Sequence, residues 1–291
     1  MIVITTPTGQ IASRLIAHLL ERDEPVRVIA RDPSRLEAST RERVEIIEGS
    51  HKDPAVLDRA LPGADALFQL IPPDFTAPDP AEHYLAYARV AGAAIERHGV
   101  THAVAVSSSG HGWSQPAGLI SAAFAADAEV KRSGVAYRAL SPPFFMENLL
   151  RQLDTIRERG TFHLAFGAGR PIASIATRDI AARAAQLLAD RSWSGQADEL
   201  LFGPDRLSAG GMARVISETL GRAVTYTPLA PADFAASLRS HGASDGFADA
   251  MLEMIAAQND GIYDADQAAA LPQATDFRTW CEEVLRPAAG A

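Results

Sequence analysis

Apolar residues between positions 1 and 140 occur as short uninterrupted runs that alternate with longer stretches of helical spacing. Runs rich in β-branched residues, without polar alternation, are typical of buried parallel strands. They predict strands over residues 1–4, 26–30, 44–47, 66–71, 102–106 and 136–140. The intervening stretches predict helices over 11–20, 53–60 and 80–98, and one more that ends near 132. Such alternation gives right-handed crossovers and a parallel sheet covered by helices on both faces.

After Pro142 the alternation becomes irregular. The patterns predict helices over 144–159, 177–189 and 209–220, short strands over 199–202 and 223–226, and mostly helical pieces over 231–287. We therefore predict an α/β protein with a Rossmann-type, doubly wound parallel sheet in residues 1–150. A smaller, mostly helical, substrate-binding part follows in 151–291. No linker marks a boundary, so we expect the two parts to be intertwined.

The turn between the first strand and the first helix is the strongest local signal. Residues 5–12 read Thr-Thr-Pro-Thr-Gly-Gln-Ile-Ala. Dinucleotide-binding folds bring phosphate to backbone N–H groups at such a helix start, usually with three glycines. Here only Gly9 is kept, Thr6 replaces the first glycine and Ala12 the last, while the hydroxyls of Thr6 and Thr8 can still donate. The motif alone is equally a plain turn, and its place between strand and helix favours cofactor binding.

The end of the second strand bears on which dinucleotide is bound. An acid at this point bonds the ribose 2′-hydroxyl of NAD, whereas an arginine accommodates the 2′-phosphate of NADP. The strand is followed by Arg31, then Asp32, with Arg35 close behind. Both guanidinium groups could instead be ordinary solvated charges. We predict NADP in preference to NAD, because a guanidinium pairs well with phosphate.

Composition and charge narrow the class of protein. The chain has 291 residues, 47% of them hydrophobic and 22% charged, with a formal net charge of −9. A negative chain is a poor nucleic-acid binder, because such proteins need a cationic surface. No apolar run approaches the ~20 residues of a membrane helix. Cys281 is the only cysteine, which excludes an internal disulfide, and the chain opens directly on a strand, so we expect a cytoplasmic location without membrane contact.

Four segments, taken in order, resemble one family. Residues 1–10 and 28–36 read Met-Ile-Val-Ile-Thr-Thr-Pro-Thr-Gly-Gln and Val-Ile-Ala-Arg-Asp-Pro-Ser-Arg-Leu. Residues 133–148 read Ser-Gly-Val-Ala-Tyr-Arg-Ala-Leu-Ser-Pro-Pro-Phe-Phe-Met-Glu-Asn, and 177–181 read Thr-Arg-Asp-Ile-Ala. The set resembles the NmrA-like branch of atypical short-chain dehydrogenases. That branch includes NADPH-dependent quinone reductases, dye reductases, aromatic ether reductases, and regulators that bind NAD(P) without turning it over.

The resemblance implies contacts for particular residues. It assigns the phosphates to Thr8, Gly9, Gln10 and Ile11, the 2′-phosphate to Arg31, the adenosine half to Leu70, Ile71 and Pro72, the nicotinamide ribose to Ser107, Ser108, Ser141 and Pro142, and the substrate border to Phe144, Phe145 and Asn148. The chain departs from the family at two points. The family segment G-D-x-x-D is Gly-Ser-His-Lys-Asp at 49–53, where we assign His51 to the cofactor site, and the usual arginine before Pro142 is Ser141.

Catalytic machinery is harder to identify. A standard short-chain dehydrogenase uses a tyrosine whose pKa is lowered by a lysine four residues later. No tyrosine here has that lysine, and Lys52 and Lys131 are the only lysines. The remaining candidates follow the fifth strand, where ligands sit in this fold. We predict Ser108 and His111 as catalytic and Ser109, His111 and Trp113 as substrate-facing, although His111 could equally be a loop histidine without a role.

These features leave three functions open. The first is an NADPH-dependent reductase of a small carbonyl, quinone or related unsaturated compound, since hydride transfer needs little acid help with a quinone. The second is a redox sensor that binds NADP without chemistry. The third is a biosynthetic lyase, isomerase or epimerase. In each case we expect a small-molecule partner, no nucleic acid, no metal site and a substrate pocket formed by loops 107–119 and 231–272. A homodimer is compatible with the sequence, although no feature of it requires one.

Overall fold

The computed structural model describes residues 1–270 and 272–290. Its strands are β1 (Ile2–Thr5), β2 (Val26–Ala30), β3 (Glu45–Glu48), β4 (Ala66–Gln69), β5 (His102–Val106), β6 (Ala136–Ser141), β7 (Phe144–Phe145), β8 (Thr161–Leu164), β9 (Pro171–Ile172), β10 (Ser174–Ile175), β11 (Gln196–Leu200), β12 (Leu207–Ser208) and β13 (Thr225–Pro228).

The helices are α1 (Gln10–Leu20), α2 (Ala38–Arg41), α3 (Pro54–Ala60), α4 (Pro80–His98), α5 (Leu119–Lys131), α6 (Leu153–Arg159), α7 (Thr177–Ala189), α8 (Ala209–Leu220), α9 (Pro231–Ser240), α10 (Asp245–Asp260), α11 (Asp264–Ala269), α12 (Phe277–Trp280) and α13 (Arg286–Ala289). Short 3₁₀ helices cover Pro33–Arg35 and Met146–Gln152, and a π-helical turn covers Cys281–Leu285.

The main sheet has seven strands in the order β11-β6-β5-β4-β1-β2-β3, and every neighbouring pair is parallel. Helices α1 and α7 pack on one face, and α3, α4 and α5 cover the other. This confirms the predicted Rossmann-type, doubly wound sheet. Because β11 and α7 come from beyond residue 150, the sheet is built from both sides of the predicted boundary. No helix among the described residues has the length and apolarity needed to cross a membrane.

The predicted helix over 144–159 is wrong in its first half. Two prolines end β6, and the N–H of Phe144 then donates to the carbonyl of Ala173 at 3.3 Å. This pairing makes β7 a partner of β10, and a 3₁₀ segment follows before the α-helix begins at Leu153. The pairing of β7 with β10 thus determines the conformation here, although the apolar residues have helical spacing.

Smaller shifts also have local causes. The fourth strand stops at Gln69 rather than 71, because the N–H of Leu70 donates to the hydroxyl of Thr5 at 3.0 Å. The strands predicted at 199–202 and 223–226 lie at Gln196–Leu200 and Thr225–Pro228, where β11 joins β6 and β13 joins β8.

A buried carboxylate joins the sheet to the second layer. Glu147, only 6% exposed, accepts from the N–H of Thr177 with both oxygens, at 3.1 and 3.0 Å, and from Nε1 of Trp280 at 3.2 Å. Thr177 is the first residue of α7, so the negative charge lies at the positive end of that helix. One side chain therefore fixes three segments that are distant in the sequence.

The second layer has its own apolar core, centred on α8, β8 and α12. A second tie anchors it to α7, where Asp179 accepts from the N–H and hydroxyl of Thr275 at 3.1 and 2.8 Å. Arg178 also donates to the hydroxyl of Thr275, at 2.8 Å. The Thr-Arg-Asp-Ile-Ala segment is thus a structural junction in this chain.

Candidate functional site

The turn between β1 and α1 is formed by an unusual backbone conformation. Thr6 has a φ of 50°, in the left-handed region, and its carbonyl accepts from the N–H of Gly9 at 3.0 Å. A β-branched residue is strained there, which is the physical reason a dinucleotide fingerprint places glycine at this point. Gly9 itself is extended, and a Cβ on it would lie 3.3 Å from the carbonyl oxygen of Thr6. Thr6 therefore has the left-handed backbone conformation that the fingerprint usually assigns to a glycine.

The N-terminus of α1 is open to an anion. No side chain caps it, its first turn holds no acidic residue, and Thr8, Gly9 and Gln10 are exposed. Ile11 turns inward to the core, so only its backbone faces the turn. The hydroxyl of Thr6 is buried and has no hydrogen-bond partner among the described residues. Unpaired N–H groups and a positive helix end are what a phosphate requires, so these residues fit a dinucleotide.

The charged residues after β2 differ in whether they already have hydrogen-bond partners. Asp32 accepts from the N–H and the hydroxyl of Ser34, at 3.0 and 2.6 Å. These hydrogen bonds hold the pKa of Asp32 below its usual value and commit its carboxylate to the Pro33–Arg35 turn. Arg31 and Arg35 are exposed, and within the described chain neither guanidinium forms an ion pair or hydrogen bond. Both guanidinium groups are therefore available to a ligand, whereas Oδ1 of Asp32 is already bonded to Ser34.

His51 is a buried neutral base close to the end of β4. Burial, the nearby charge of Arg31 and that of His83 lower its pKa to about 4, whereas a backbone hydrogen bond with Leu70 raises it. Its ring lies 4.5 Å from that of Tyr87, and its Nε2 has no partner in the described structure. Half-buried Leu70, Ile71 and Pro72 follow β4 beside it, as the resemblance implies.

Ser107 belongs to a buried polar cluster under the end of β5. Its hydroxyl donates to Oδ2 of Asp127, and the hydroxyl of Tyr137 donates to Oδ1 at 2.6 Å. Nζ of Lys131 lies 5.5 Å from the centre of the Tyr137 ring. This pair is not the standard catalytic one, because burial and the Asp127 charge raise the pKa of Tyr137 well above its usual value. The sequence contained no indication of Asp127.

Ser108 has a neighbour that the sequence did not suggest. Its side chain lies beside that of Tyr263 and lowers the pKa of the phenol, which burial raises by a larger amount; the Tyr263 hydroxyl accepts from Nε2 of Gln258 at 3.0 Å. Ser108 donates to the carbonyl of Ser109 at 3.1 Å. Tyr263 comes from the turn before α11, with no lysine four positions later, so no motif identified it.

Three predicted contact residues lie below the surface. Ser109 is fully buried, and its hydroxyl donates to the carbonyl of Ser141 at 2.5 Å. Its N–H donates to the carbonyl of Pro142 at 3.1 Å. Ser141 and Pro142 are buried as well. In this arrangement Ser109 joins the ends of β5 and β6. The sequence analysis had instead predicted that Ser109 faces the substrate.

His111 and Trp113 pack against aromatic side chains. The His111 ring lies 4.1 Å from that of Phe124, and its Nε2 is 3.8 Å from Oδ1 of Asp198 on the edge strand β11. Trp113 packs into an apolar cluster with Phe202 and Tyr263. The structure therefore does not bring His111 together with the other predicted catalytic residue.

The predicted substrate border lies on the second layer. The ring of Phe144 meets that of Phe166 edge-on at 5.8 Å, and Phe145 packs against the core below α1 and α7. Asn148 is half-buried, and its amide forms no hydrogen bond with any described residue. Of the three, Asn148 therefore offers the polar group with unused bonding capacity.

The C-terminal helices cover the carboxyl end of the sheet. Ser244, before α10, donates from its N–H and hydroxyl to the carbonyls of Phe75 and Ala77 at 2.9 and 2.5 Å. The N–H of Gly110 donates to Asp266 at 2.7 Å. The loops after β4 and β5 are thereby tied to α10 and α11. His, Cys, Asp and Glu side chains of residues 1–270 and 272–290 form no cluster suited to a metal ion.

The backbone strain at Thr6 can be measured. We expect Thr6→Gly to raise the free energy of unfolding by about 0.5–1 kcal/mol, because relief of the left-handed penalty exceeds the entropy cost of glycine. Thr8→Gly is the matched control, since Thr8 has no positive φ, and it should lower the free energy of unfolding by about 0.5–1 kcal/mol. Urea titration of both variants checks this, and equal losses would contradict it.

His51 predicts an acid-dependent loss of stability. Its folded pKa of about 4 lies below the unfolded value of 6.5, so its contribution is present above pH 6.5 and lost as pH falls toward 4. In this pH range the unfolded chain binds a proton at this histidine and the folded chain does not. The free energy of unfolding therefore falls by about 3 kcal/mol at most. His51→Gln should remove this part of the decline in urea titrations at pH 7 and 4.5. The exposed His241→Gln should retain it, and an unchanged decline in His51→Gln would refute the assignment.

Comparisons with known proteins agree with this geometry. The profile of a family described as NAD(P)H-binding matches residues 7–191. The NAD(P)H azoreductase of Xenophilus azovorans is 30% identical over 256 residues, which cover 88% of this chain and 86% of the relative. Quinone oxidoreductase 2 of Escherichia coli is 28% identical over 268 residues, covering 91% and 90%.

Solved structures extend the likeness to the whole chain. The NADPH-dependent quinone oxidoreductase of Escherichia coli complexed with NADPH has a TM-score of 0.76 at 25% identity, covering 100% of this chain and 99% of that one. Triphenylmethane reductase of Citrobacter sp., complexed with NADP(H), shares the fold with a TM-score of 0.78 at 19% identity and coverages of 99% and 100%. An NmrA mutant shares it with a TM-score of 0.72 at 16% identity, covering 98% and 95%. The family profile and the azoreductase match show that the chain belongs to the NAD(P)H-binding family.

Proposed function

We propose that this protein is an NADPH-dependent reductase of a small carbonyl, quinone or related unsaturated compound. The observation that carries the proposal is the pairing of an open α1 N-terminus with two unpaired arginines after β2. The matched relatives support it, since their names describe azo and quinone reduction. Residues up to about 150 would hold the cofactor, and the later helices would close over the substrate.

The same groups support NADP over NAD. Asp32 is the acid that could accept from a ribose 2′-hydroxyl, but Ser34 already occupies its Oδ1 with two hydrogen bonds. Near His51, Arg31 presents a guanidinium without a hydrogen-bond partner among the described residues, where it would pair with a 2′-phosphate.

The proton that the reduced substrate needs would come from a residue in the loop after β5. Bound NADPH would supply the hydride, which is the demanding part of the reaction. The Ser108 hydroxyl, beside Tyr263, is the group at the carboxyl end of β5 that can deliver a proton to a substrate oxygen. The Tyr263 phenol, fixed by Gln258, would then restore the proton of Ser108. Asn148 and Phe144 would hold the substrate from the opposite layer.

A second candidate is a sensor that binds NADP without turnover. It is favoured by one observation, the raised pKa of Tyr263, which burial causes and which makes the phenol a weaker acid than the tyrosine of standard short-chain dehydrogenases. Turnover separates the two candidates, because a sensor would bind NADPH but would not oxidise it, whichever substrate is supplied.

Arg31→Ala tests the cofactor assignment. We expect it to weaken NADPH binding about 10- to 100-fold in calorimetric titration, because a charged hydrogen bond to phosphate contributes about 1.5–3 kcal/mol. NADH affinity should change less than about twofold. Arg41→Ala, an exposed arginine on α2, is the matched control and should bind both as the wild type does. An unchanged NADPH-to-NADH ratio in Arg31→Ala would refute the assignment.

Steady-state oxidation of NADPH with a panel of quinones and azo dyes tests catalysis. Ser108→Ala and Tyr263→Phe should each lower kcat by about tenfold, a modest effect for acid catalysis because a quinone needs little proton assistance. KM for NADPH should stay near its original value. His111→Ala should retain full activity, since its imidazole faces Asp198. Consumption no faster than in buffer with every acceptor would reject the reductase and favour the sensor.

A further inference from the structure

The cluster of Ser107, Asp127 and Tyr137 has a fixed direction of hydrogen bonding. Asp127 is 5% exposed and Tyr137 is 1% exposed, whereas Ser107 reaches the surface at the carboxyl end of β5. Each carboxylate oxygen of Asp127 accepts from one hydroxyl, Oδ2 from Ser107 and Oδ1 from Tyr137. Two donors on two oxygens is the pattern of an ionised carboxylate.

Asp127 is supported from several sides. Lys131, one turn later on α5, favours its charge, whereas Asp198 on β11 and burial oppose it, and burial has the largest effect on its raised pKa. A cavity of about 20 Å³ also adjoins the carboxylate and is lined by Gln69 and Tyr84, among others. Nε2 of Gln69 is buried there with no partner in the described chain. The cavity has room for one water, which could bridge this donor to Asp127.

The consequence concerns the single hydrogen of the Ser107 hydroxyl. That hydrogen points inward to a carboxylate, in a charge-assisted bond roughly twice as strong as a neutral one. Only the lone pairs of Ser107 are left for a ligand, so Ser107 binds hydrogen-bond donors and not acceptors. A quinone or carbonyl oxygen offers only lone pairs. The nicotinamide half of a dinucleotide offers ribose hydroxyls and a carboxamide amine.

We propose that Asp127 is a positioning residue, which fixes Ser107 as an acceptor for a donor group on the nicotinamide half of the cofactor. Adjacent serines then have separate tasks, because Ser108 donates its hydrogen to the neutral carbonyl of Ser109 at 3.1 Å, a weaker bond that it can exchange for one to the substrate. The inference rests on the proposed function for the identity of the cofactor. It adds a residue, Asp127, that lies behind the site and touches neither ligand.

Two ligands distinguish this role from a structural one. NADP⁺ contains both halves of the cofactor, whereas adenosine 2′,5′-bisphosphate contains only the adenosine half with its 2′-phosphate. We expect Ser107→Ala and Asp127→Asn each to weaken NADP⁺ binding about tenfold in calorimetric titration and to leave binding of the bisphosphate within about twofold. The double variant should be no weaker than either single variant, because both remove the same contact.

Two control variants complete the experiment. Tyr137→Phe removes the other hydroxyl from Asp127 but leaves Ser107 in place, so its NADP⁺ affinity should match the wild type. Arg31→Ala should weaken both ligands. If Asp127→Asn does not fold, Ser107→Ala still tests the inference, because it removes the accepting oxygen itself.

Each result has one meaning. Wild-type affinity for NADP⁺ in Ser107→Ala or Asp127→Asn overturns the inference, and so does an equal loss for both ligands, which would indicate general disruption. Neither result affects the proposed cofactor. If the wild type binds neither ligand, the proposed function fails and the inference fails with it. The titrations contain no substrate, so the presence or absence of turnover does not enter.

Discussion

The fold depends on one buried charge at a helix end. Glu147 follows the proline pair that ends β6, and its carboxylate accepts from the first N–H of α7 and from the indole of Trp280. A charged group this deeply buried is tolerated only when such partners satisfy it. Because α7 packs directly against α1, the position of α1 and of the turn before it rests on this carboxylate. The support of the ligand site and the junction between the layers are thus one interaction.

The ligand site follows the opposite principle, because several of its polar groups are left without partners. The first N–H groups of α1, the Thr6 hydroxyl, Nε2 of His51 and the Arg31 guanidinium have unused bonding capacity, whereas Oδ1 of Asp32 accepts two hydrogen bonds from Ser34. Buried polar groups without partners cost stability in the free protein. A ligand with phosphates and an adenosine would form hydrogen bonds with these groups. Binding would therefore recover the free energy that the unpaired groups cost the free protein.

The sequence predicted the architecture because hydrophobic periodicity encodes it directly. Uninterrupted apolar runs identified the strands of the sheet, helical spacing identified its helices, and the β1–α1 turn was recognised by its position, not by its glycines. The helix over 144–159 failed because the pairing of Phe144 with Ala173 is a tertiary contact that overrides local spacing. Helical spacing cannot reveal a strand partner about thirty residues away.

The site was only partly predictable for a similar reason. Contacts made by backbone or by neighbouring residues, such as the phosphate turn and Arg31, can be inferred from a short segment. The direction of a side chain cannot, and this is where Ser109 and His111 differ from expectation. Asp127 and Tyr263 approach the β5 end from 20 and 155 positions away in the sequence, without a motif. Residues that act on a site from another element leave no signature in a single sequence.

The strand order has a consequence for how the chain folds during synthesis. Strand β11 completes the sheet beside β6, yet the ribosome makes it only after the whole 144–189 excursion. Until then a nascent chain has β6 as an open edge, whose unpaired N–H and C=O groups can recruit a strand from another chain. Once added, β11 places Asp198 and Glu199 on the edge strand, where they pair with Lys131 and Arg183, and charged residues on an edge strand discourage further strand addition. The late strand therefore protects the sheet against aggregation as well as completing it.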